Sequence, residues 1–312
     1  MTDQVLLWVV FSISILIMLA LDLGVFHRRD EVIGMREAVG WSVVWTVLAL
    51  VFNAGIYAWQ GSESALAFLT GYLIERFLSL DNIFVFLLIF SYFHVSPQYQ
   101  HRVLFWGILG ALVMRAVFIV AGVALIRNFH WVVYLFGVLL VGVGLKMALV
   151  PEKAVHPERN PLLKLARRLI PITDSYGDSS FFLKINGRYL ATPLFIVLLV
   201  IAATDLVFAI DSIPAILAVT TDPFIVWSSN VFAVLGMRAL YFAAERLIQM
   251  FHYLNYGLAA VLFFVGIKML LSDWLPIPVG IALAVVVVVM GISVAASVLR
   301  PPRDGGHADA KR

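Results

Sequence analysis

The chain has 312 residues, of which 62% are hydrophobic and 13% are charged, and its formal net charge is +3. Soluble domains contain roughly 45–50% apolar and about 25% charged residues, so this composition excludes an ordinary soluble domain and indicates an integral membrane protein. The small net charge does not favour a nucleic-acid partner. Because the chain has no cysteine, it can form neither a disulfide nor a thiolate metal site.

Apolar stretches of about 20 residues, the length that crosses a hydrocarbon core, recur along the chain. They predict an all-α, polytopic transmembrane bundle of about nine spans. The first four residues, Met1-Thr2-Asp3-Gln4, lack the basic region of a secretory signal, so the first stretch is interpreted as a transmembrane helix. The predicted spans are 5–26, 40–60, 65–93, 103–126, 131–149, 192–219, 224–246, 254–272 and 276–299.

Two polar segments interrupt this pattern. Residues 150–190 hold four prolines among many charges and are interpreted as a linker, with a short amphipathic piece around 162–169 at the membrane surface. The tail after Arg300 is rich in Pro, Gly and charge, and is predicted to be disordered. The predicted organisation is two accessory helices in 1–64, a three-helix repeat in 65–149, the linker in 150–190, a second repeat in 191–272, a last helix in 273–299 and the tail in 300–312.

The basic residues are sorted by side. If the connections alternate across the membrane, sixteen of the 22 Lys and Arg residues fall on the side of the C-terminus, five lie within spans and only Arg127 falls on the opposite side. Cytoplasmic loops carry the excess of Lys and Arg in membrane proteins. The sequence therefore predicts a cytoplasmic C-terminus and an N-terminus outside.

The chain also repeats itself. Spans three to five correspond to spans six to eight, and because the offset is an odd number of spans, the two copies cross the membrane in opposite directions. This predicts two inverted three-helix repeats, an arrangement of secondary transporters, whose site lies near the midplane between the halves. The aligned pairs are Leu73–Ile83 with Ala203–Ile213, Met114-Arg115-Ala116 with Met237-Arg238-Ala239, and Gly144–Met147 with Gly266–Met269.

Each repeat carries two carboxylates six residues apart in an apolar run: Glu75 and Asp81 in span three, Asp205 and Asp211 in span six. A carboxylate at the centre of a membrane helix costs about 2.5–3.5 kcal/mol, so all four are predicted to face the bundle interior. Across the pseudo-two-fold axis Glu75 would meet Asp205, and Asp81 would meet Asp211. The alternative is that they make only polar packing contacts within the bundle.

The polar groups inside the spans offer oxygen rather than imidazole or thiolate. Oxygen sites suit Mg²⁺, Ca²⁺ or Mn²⁺, and clustered carboxylates can also carry protons. Pro214 removes a helical N–H and predicts a break in span six that frees the Ile210 carbonyl as a further ligand. The predicted ion-binding residues are Asp81, Asp211, Glu75, Asp205, Asn82, Ser212 and Asp22, supported by Asn53, Thr204 and Pro214.

Arg115 and Arg238 occupy equivalent positions in spans four and seven. One interpretation is that each arginine neutralises an acid when the cation is absent, as a built-in surrogate. The other is a fixed structural ion pair, since charged residues inside membranes normally pair with one another. The sequence leaves both interpretations open.

At these residues the chain resembles the TerC family of bacterial membrane proteins, and closely its Alx branch. The resemblance implies a bacterial inner-membrane location, a repeat plan similar to that of the LysE superfamily of exporters, and manganese efflux through the acids of spans one, three and six. One departure is Ala202, which stands where the family commonly has a Glu and removes one carboxylate from the expected set. The matching segments are Phe68–Glu75, Asp81–Val85, Phe208–Ala215, Ala218–Phe224 and Ser229-Asn230.

The leading prediction is a Mn²⁺ exporter that works by alternating access, with no resident cofactor. Because no Gly-rich phosphate loop occurs, proton antiport is favoured over nucleotide hydrolysis. No nucleophile–base constellation points to an enzyme. The alternative is a non-transporting scaffold or assembly factor that recruits partners through the 150–190 linker. The predicted partners are a divalent cation and the lipid bilayer, with a homo-oligomer or another membrane protein left open.

Overall fold

The computed structural model describes residues 7–15, 17, 35–149, 173, 180–185, 188–237, 239–242 and 253–299. These residues are almost wholly helical, which confirms the predicted all-α class. Residues 7–15 are helical and belong to the first predicted span, most of which lies outside the described residues. The helices that follow are α1 (Met35–Gln60), α2 (Ser62–Tyr92), α3 (Pro97–Asn128), α4 (Trp131–Leu149), α5 (Pro193–Leu217), α6 (Pro223–Leu235), α7 (Leu254–Leu270) and α8 (Val279–Leu299).

Most of the described helical stretches have the length and composition of membrane spans. The 31 residues of α2 cover about 46 Å at 1.5 Å per residue, more than a hydrocarbon core requires. Helix α7 is apolar but shorter. An integral, multi-pass membrane protein is thereby confirmed, while the count of nine spans stays a prediction. Six helical stretches are long and apolar enough to cross a membrane: Arg36–Gln60, Pro97–Asn128, Trp131–Leu149, Pro193–Leu217, Pro223–Phe242 and Val279–Leu299.

Proline marks the start of three helices. Pro97, Pro193 and Pro223 each occupy the first turn of their helix, where the missing N–H has no intrahelical partner to lose. Asp222 caps α6, because its Oδ1 accepts hydrogen bonds from the amides of Phe224 and Ile225 at 2.8 and 3.3 Å. These turn residues therefore set where each chain segment enters the membrane.

The break predicted at Pro214 is wrong. Helix α5 runs without interruption from Pro193 to Leu217, and the amide of Ala218 still donates to the Pro214 carbonyl at 2.9 Å. Pro214 removes the amide that would donate to the Ile210 carbonyl, but the buried residues 212–217 stay helical around it. In predicted span seven, α6 ends at Leu235, and after the single turn residue Gly236 the described residues 237 and 239–242 are helical again.

The predicted linker contains a β-hairpin that was not expected. Strands β1 (Phe182–Ile185) and β2 (Arg188–Ala191) pair antiparallel, with Phe182 opposite Ala191. The sequence carries the signal for it, since Asn-Gly at 186–187 is a typical two-residue hairpin connection. The predicted amphipathic piece at 162–169 and the tail after Arg300 lie outside the described residues.

The helices pack in pairs that bring the acidic helices together. Helix α2 packs against both α5 and α6, α3 packs against α5, and α4 packs along α7. Small residues allow the closest approaches: a Cβ on Gly71 of α2 would lie 2.9 Å from Ser229 Oγ of α6. The centre of the bundle is therefore formed by α2, α3, α5 and α6.

Candidate functional site

Arg115 of α3 forms the centre of a buried charge cluster. Its side chain is fully buried, and its guanidinium donates two hydrogen bonds to Asp205 of α5, from Nε to Oδ2 at 3.3 Å and from Nη2 to Oδ1 at 3.2 Å. Its Nη1 also pairs with Glu75 Oε1 of α2 and lies 3.4 Å from Ser212 Oγ. A bidentate contact of this kind is the geometry in which Arg holds a carboxylate best. Three helices are thus joined through one guanidinium.

The packing of α2, α3 and α5 explains why these groups meet. Glu75 is 0% and Asp205 2% exposed, so neither carboxylate faces lipid. Both positions are equivalent in the aligned repeats. The structure brings Glu75 and Asp205 together, as the sequence predicts, but joins them through Arg115 rather than by direct contact.

The cluster carries more negative than positive charge when its acids are ionised. Two carboxylates share one guanidinium, and the second oxygen of Glu75, Oε2, is buried with no hydrogen-bond partner among the described residues. An unbalanced buried charge is costly. The cluster is therefore suited to attract a cation or a proton.

The other predicted site residues in described positions surround this cluster to different degrees. Asp211 is half-buried and forms no ion pair with a described residue. Asn82 is 3% exposed, whereas the Thr204 hydroxyl donates to its own helix at Val200 O, 2.7 Å away. The buried Oδ1 of Asn53 has no partner in the described part of the chain.

Part of the predicted ligand set cannot be placed. Asp22 and Arg238 lie outside the described residues, and Asp81 lies in α2 but its side chain is not described. Within the ranges that the structure describes, no three His, Asp or Glu side chains lie together as a metal site. The described part of the cluster is thus closed around an arginine.

Two apolar clusters bound the charged layer on either side along the helix axes. We name them after Ile83 and Ile213, which are equivalent residues of the aligned repeats. The Ile83 cluster includes Ile83, Phe86, Leu104, Ile201 and Met237. The Ile213 cluster includes Ile119, Ala209, Ile213, Ile216 and Val226.

The position of each charged residue follows from helical spacing. Asp205 lies one turn from Ile201 of the Ile83 cluster and one turn from Ala209 of the Ile213 cluster. Arg115 lies one turn from Ile119 of the Ile213 cluster. The charges therefore lie between two apolar layers.

Sequence reasoning gave no role to Arg76, the residue after Glu75. Its Nη1 donates to the Ala233 carbonyl at 3.3 Å, and its guanidinium lies against Gly236, where α6 ends. A cation at a helix C-terminus satisfies carbonyls that have no intrahelical donor. An arginine next to an acid within an apolar run, and a glycine within a predicted span, were the available signals.

A bundle of long apolar helices around a buried charge cluster is the architecture of a polytopic integral membrane protein. The chain belongs to the TerC family: the profile described as "Integral membrane protein TerC family" matches residues 60–304. This confirms the resemblance seen in the sequence.

Individual relatives cover nearly the whole chain. A membrane protein of Myxococcus xanthus is 51% identical over 294 residues, 94% of this chain and 92% of the relative. Alx of Escherichia coli K12, whose name proposes a membrane-bound redox modulator, is 46% identical over 285 residues, 88% of this chain and 89% of the relative. A membrane protein of Rickettsia bellii is 40% identical over 293 residues, 94% of this chain and 97% of the relative. No solved structure matches the chain significantly.

Proposed function

We propose that this protein exports a divalent cation, Mn²⁺ in the first place, from the cytoplasm by alternating access between its two halves, with protons as the exchanged ion. One observation carries the proposal: Glu75 and Asp205, from equivalent helices of the two halves, converge on Arg115 in a fully buried layer. Carboxylates at this depth mark ion pathways in membrane proteins. Their oxygens are ligands that suit Mn²⁺.

Arg115 acts in this proposal as a stand-in for the cargo. A guanidinium stays charged at any physiological pH, so it can hold the two acids when no metal is bound and spare the bundle two uncompensated charges. When a cation enters, Arg115 releases Glu75 and Asp205 to it. The competing interpretation is a permanent structural ion pair.

Protons complete the cycle in this proposal. Glu75 has an oxygen without a partner in the described residues, and Asp211, half-buried on the same helix as Asp205, lies nearer to the surface of the bundle. Protonation of these carboxylates after the metal leaves would cancel charge that Arg115 alone cannot balance. Thiol–disulfide chemistry is not available to this chain, because it has no cysteine.

The test measures total cellular manganese after a Mn²⁺ load in cells that lack other manganese exporters. Wild type, Asp81→Asn and Asp211→Asn are compared at matched expression with an empty vector. We expect wild type to lower cell manganese and both variants to fail. If wild type equals the empty vector, manganese export is wrong.

The scaffold alternative predicts the opposite dependence. A scaffold would tolerate Asp81→Asn and Asp211→Asn but lose its effect when the 150–190 linker is deleted. An exporter would lose transport with the acid variants and keep it in the deletion.

A further inference from the structure

Asn230 of α6 is a buried polar side chain whose amide is unused within the described part of the chain. It is 0% exposed, and neither its Oδ1 nor its Nδ2 has a hydrogen-bond partner among the described residues. Its neighbours differ: the hydroxyls of Ser228 and Ser229 bond to the carbonyls of their own helix, at 3.3 and 3.2 Å. Buried polar groups are normally hydrogen-bonded, so an orphaned one indicates a ligand or water at that place.

Contacts between α2 and α6 give the depth of Asn230. Ser229 lies against Gly71, and the Ala233 carbonyl accepts from Arg76. The two helices therefore run in the same direction here, and Asn230 lies at a depth between Gly71 and Arg76. Glu75, one turn after Gly71, occupies the same interval.

The apolar clusters give the same answer independently. Val226 of α6 belongs to the Ile213 cluster, and Met237, which follows the turn at Gly236, belongs to the Ile83 cluster. Asn230 lies one turn after Val226 and before Met237. Along the chain it therefore lies between the two clusters, as Asp205 does.

A second orphan lies in the same layer. Ser79 of α2 is 0% exposed, and its Oγ has no partner in the described ranges. It follows Glu75 by one turn and precedes Ile83 of the Ile83 cluster by one turn. With Glu75 Oε2 and Asn230 Oδ1, two neighbouring helices thus hold three oxygen atoms that lack a partner among the described residues, and each of them is able to bind a cation.

We propose that Asn230 is a further ligand of the transported divalent cation. Its amide oxygen binds the cation together with the Glu75 carboxylate, after Arg115 has released that carboxylate. The inference rests on the proposed function and extends its site to α6, a helix that contributes no acid to the cluster. Neutral amide oxygens are ordinary ligands of hard divalent cations. Asn230 would therefore add a ligand without adding a negative charge, which would stay buried whenever the site is empty.

The test uses two variants of similar size and opposite chemistry. Asn230→Asp keeps an oxygen at the same place, whereas Asn230→Leu keeps the volume and removes every donor and acceptor. Full-length protein is purified in detergent, its melting temperature and monodispersity are recorded, and Mn²⁺ binding is titrated by the loss of the free-ion electron paramagnetic resonance signal. Ser228→Ala is the matched control, because that hydroxyl is already satisfied by its own helix.

We expect Asn230→Leu to weaken Mn²⁺ binding by about tenfold or more, a loss typical of altered metal sites, with a melting temperature at or above that of wild type. Asn230→Asp and Ser228→Ala should keep binding. If Asn230 has only a structural role, the order is reversed: Asn230→Leu binds Mn²⁺ as wild type does, and Asn230→Asp binds it less well. That result would overturn the inference. If Asn230→Leu is not monodisperse, Asn230→Ala replaces it with the same expectation.

The two proposals fail in different ways. If wild type binds Mn²⁺ and Asn230→Leu binds equally well, only the role of Asn230 is wrong. If wild type binds no Mn²⁺ at all, the manganese proposal fails and this inference fails with it.

Discussion

Gly144 of α4 and Gly266 of α7 press against each other's helix through equivalent contacts. A Cβ on Gly144 would lie 2.9 Å from the Phe263 amide nitrogen, and a Cβ on Gly266 would lie 2.8 Å from the Val141 amide nitrogen. Val141 and Phe263 each precede their own glycine by three residues, so the two contacts exchange under the repeat. Reciprocal contact of this kind is the mark of a two-fold interface, and it supports the predicted inverted repeats.

The same contacts predict which glycines are irreplaceable. At Gly144 the atoms in the way belong to the backbone of α7, so Gly144→Ala must push two helices apart and should destabilise the fold by about 1–3 kcal/mol. Gly142, on the same helix, has nothing within 4 Å of its Cβ position. Gly142→Ala is therefore the control. Thermal unfolding in detergent that shows equal melting temperatures for the two variants would contradict the close packing.

Replacing Arg115 should destabilise the fold more than replacing either of its acidic partners. Arg115→Ala leaves two buried carboxylates without a counter-charge, and breaking a buried ion pair costs about 3–5 kcal/mol. Adding Asp205→Asn to Arg115→Ala removes one orphaned charge and should recover part of the loss. Arg115→Lys keeps the charge but loses the fork on Asp205, so it should fall between wild type and Arg115→Ala. Melting temperatures of these three variants and of Asp205→Asn alone measure this, and strictly additive losses in the double variant would argue against a direct pair.

The absence of cysteine makes the predicted orientation directly testable. Arg127, at the end of α3, and Lys184, in β1, are both exposed and are predicted to lie on opposite sides of the membrane. A membrane-impermeant maleimide should label Arg127→Cys in intact cells and Lys184→Cys only after permeabilisation. The unsubstituted chain has no thiol and supplies the blank. The reverse labelling would invert the predicted topology.

Arg76 should stabilise the end of α6. Arg76→Leu keeps an apolar stem but loses the charged hydrogen bond to the Ala233 carbonyl, and we expect a loss of about 1.5–3 kcal/mol in the free energy of unfolding. Gly236→Ala should cost less, because the group it meets is the movable end of the Arg76 side chain. Arg127→Leu, at an exposed helix end, is the control and should unfold as wild type does. If Arg76→Leu is as stable as that control, Arg76 does not stabilise the end of α6.

The sequence by itself determined the all-α membrane class and the burial of Glu75 and Asp205. Both follow from local chemistry: apolar length and the cost of a carboxylate in lipid. The Asn-Gly pair also carried the signal for the hairpin, although that signal was outweighed by the many charges and prolines around it.

Only the tertiary structure decided which groups meet. Three features depend on the relative depth and rotation of four packed helices: Arg115 binds both Glu75 and Asp205, Arg76 caps α6, and Asn230 has no partner in the described ranges. One-dimensional periodicity states which side of a helix avoids lipid, but not which residue of another helix lies opposite. Pro214 shows the same limit, since its chemistry removes one amide from the helix, yet the buried residues around it stay helical.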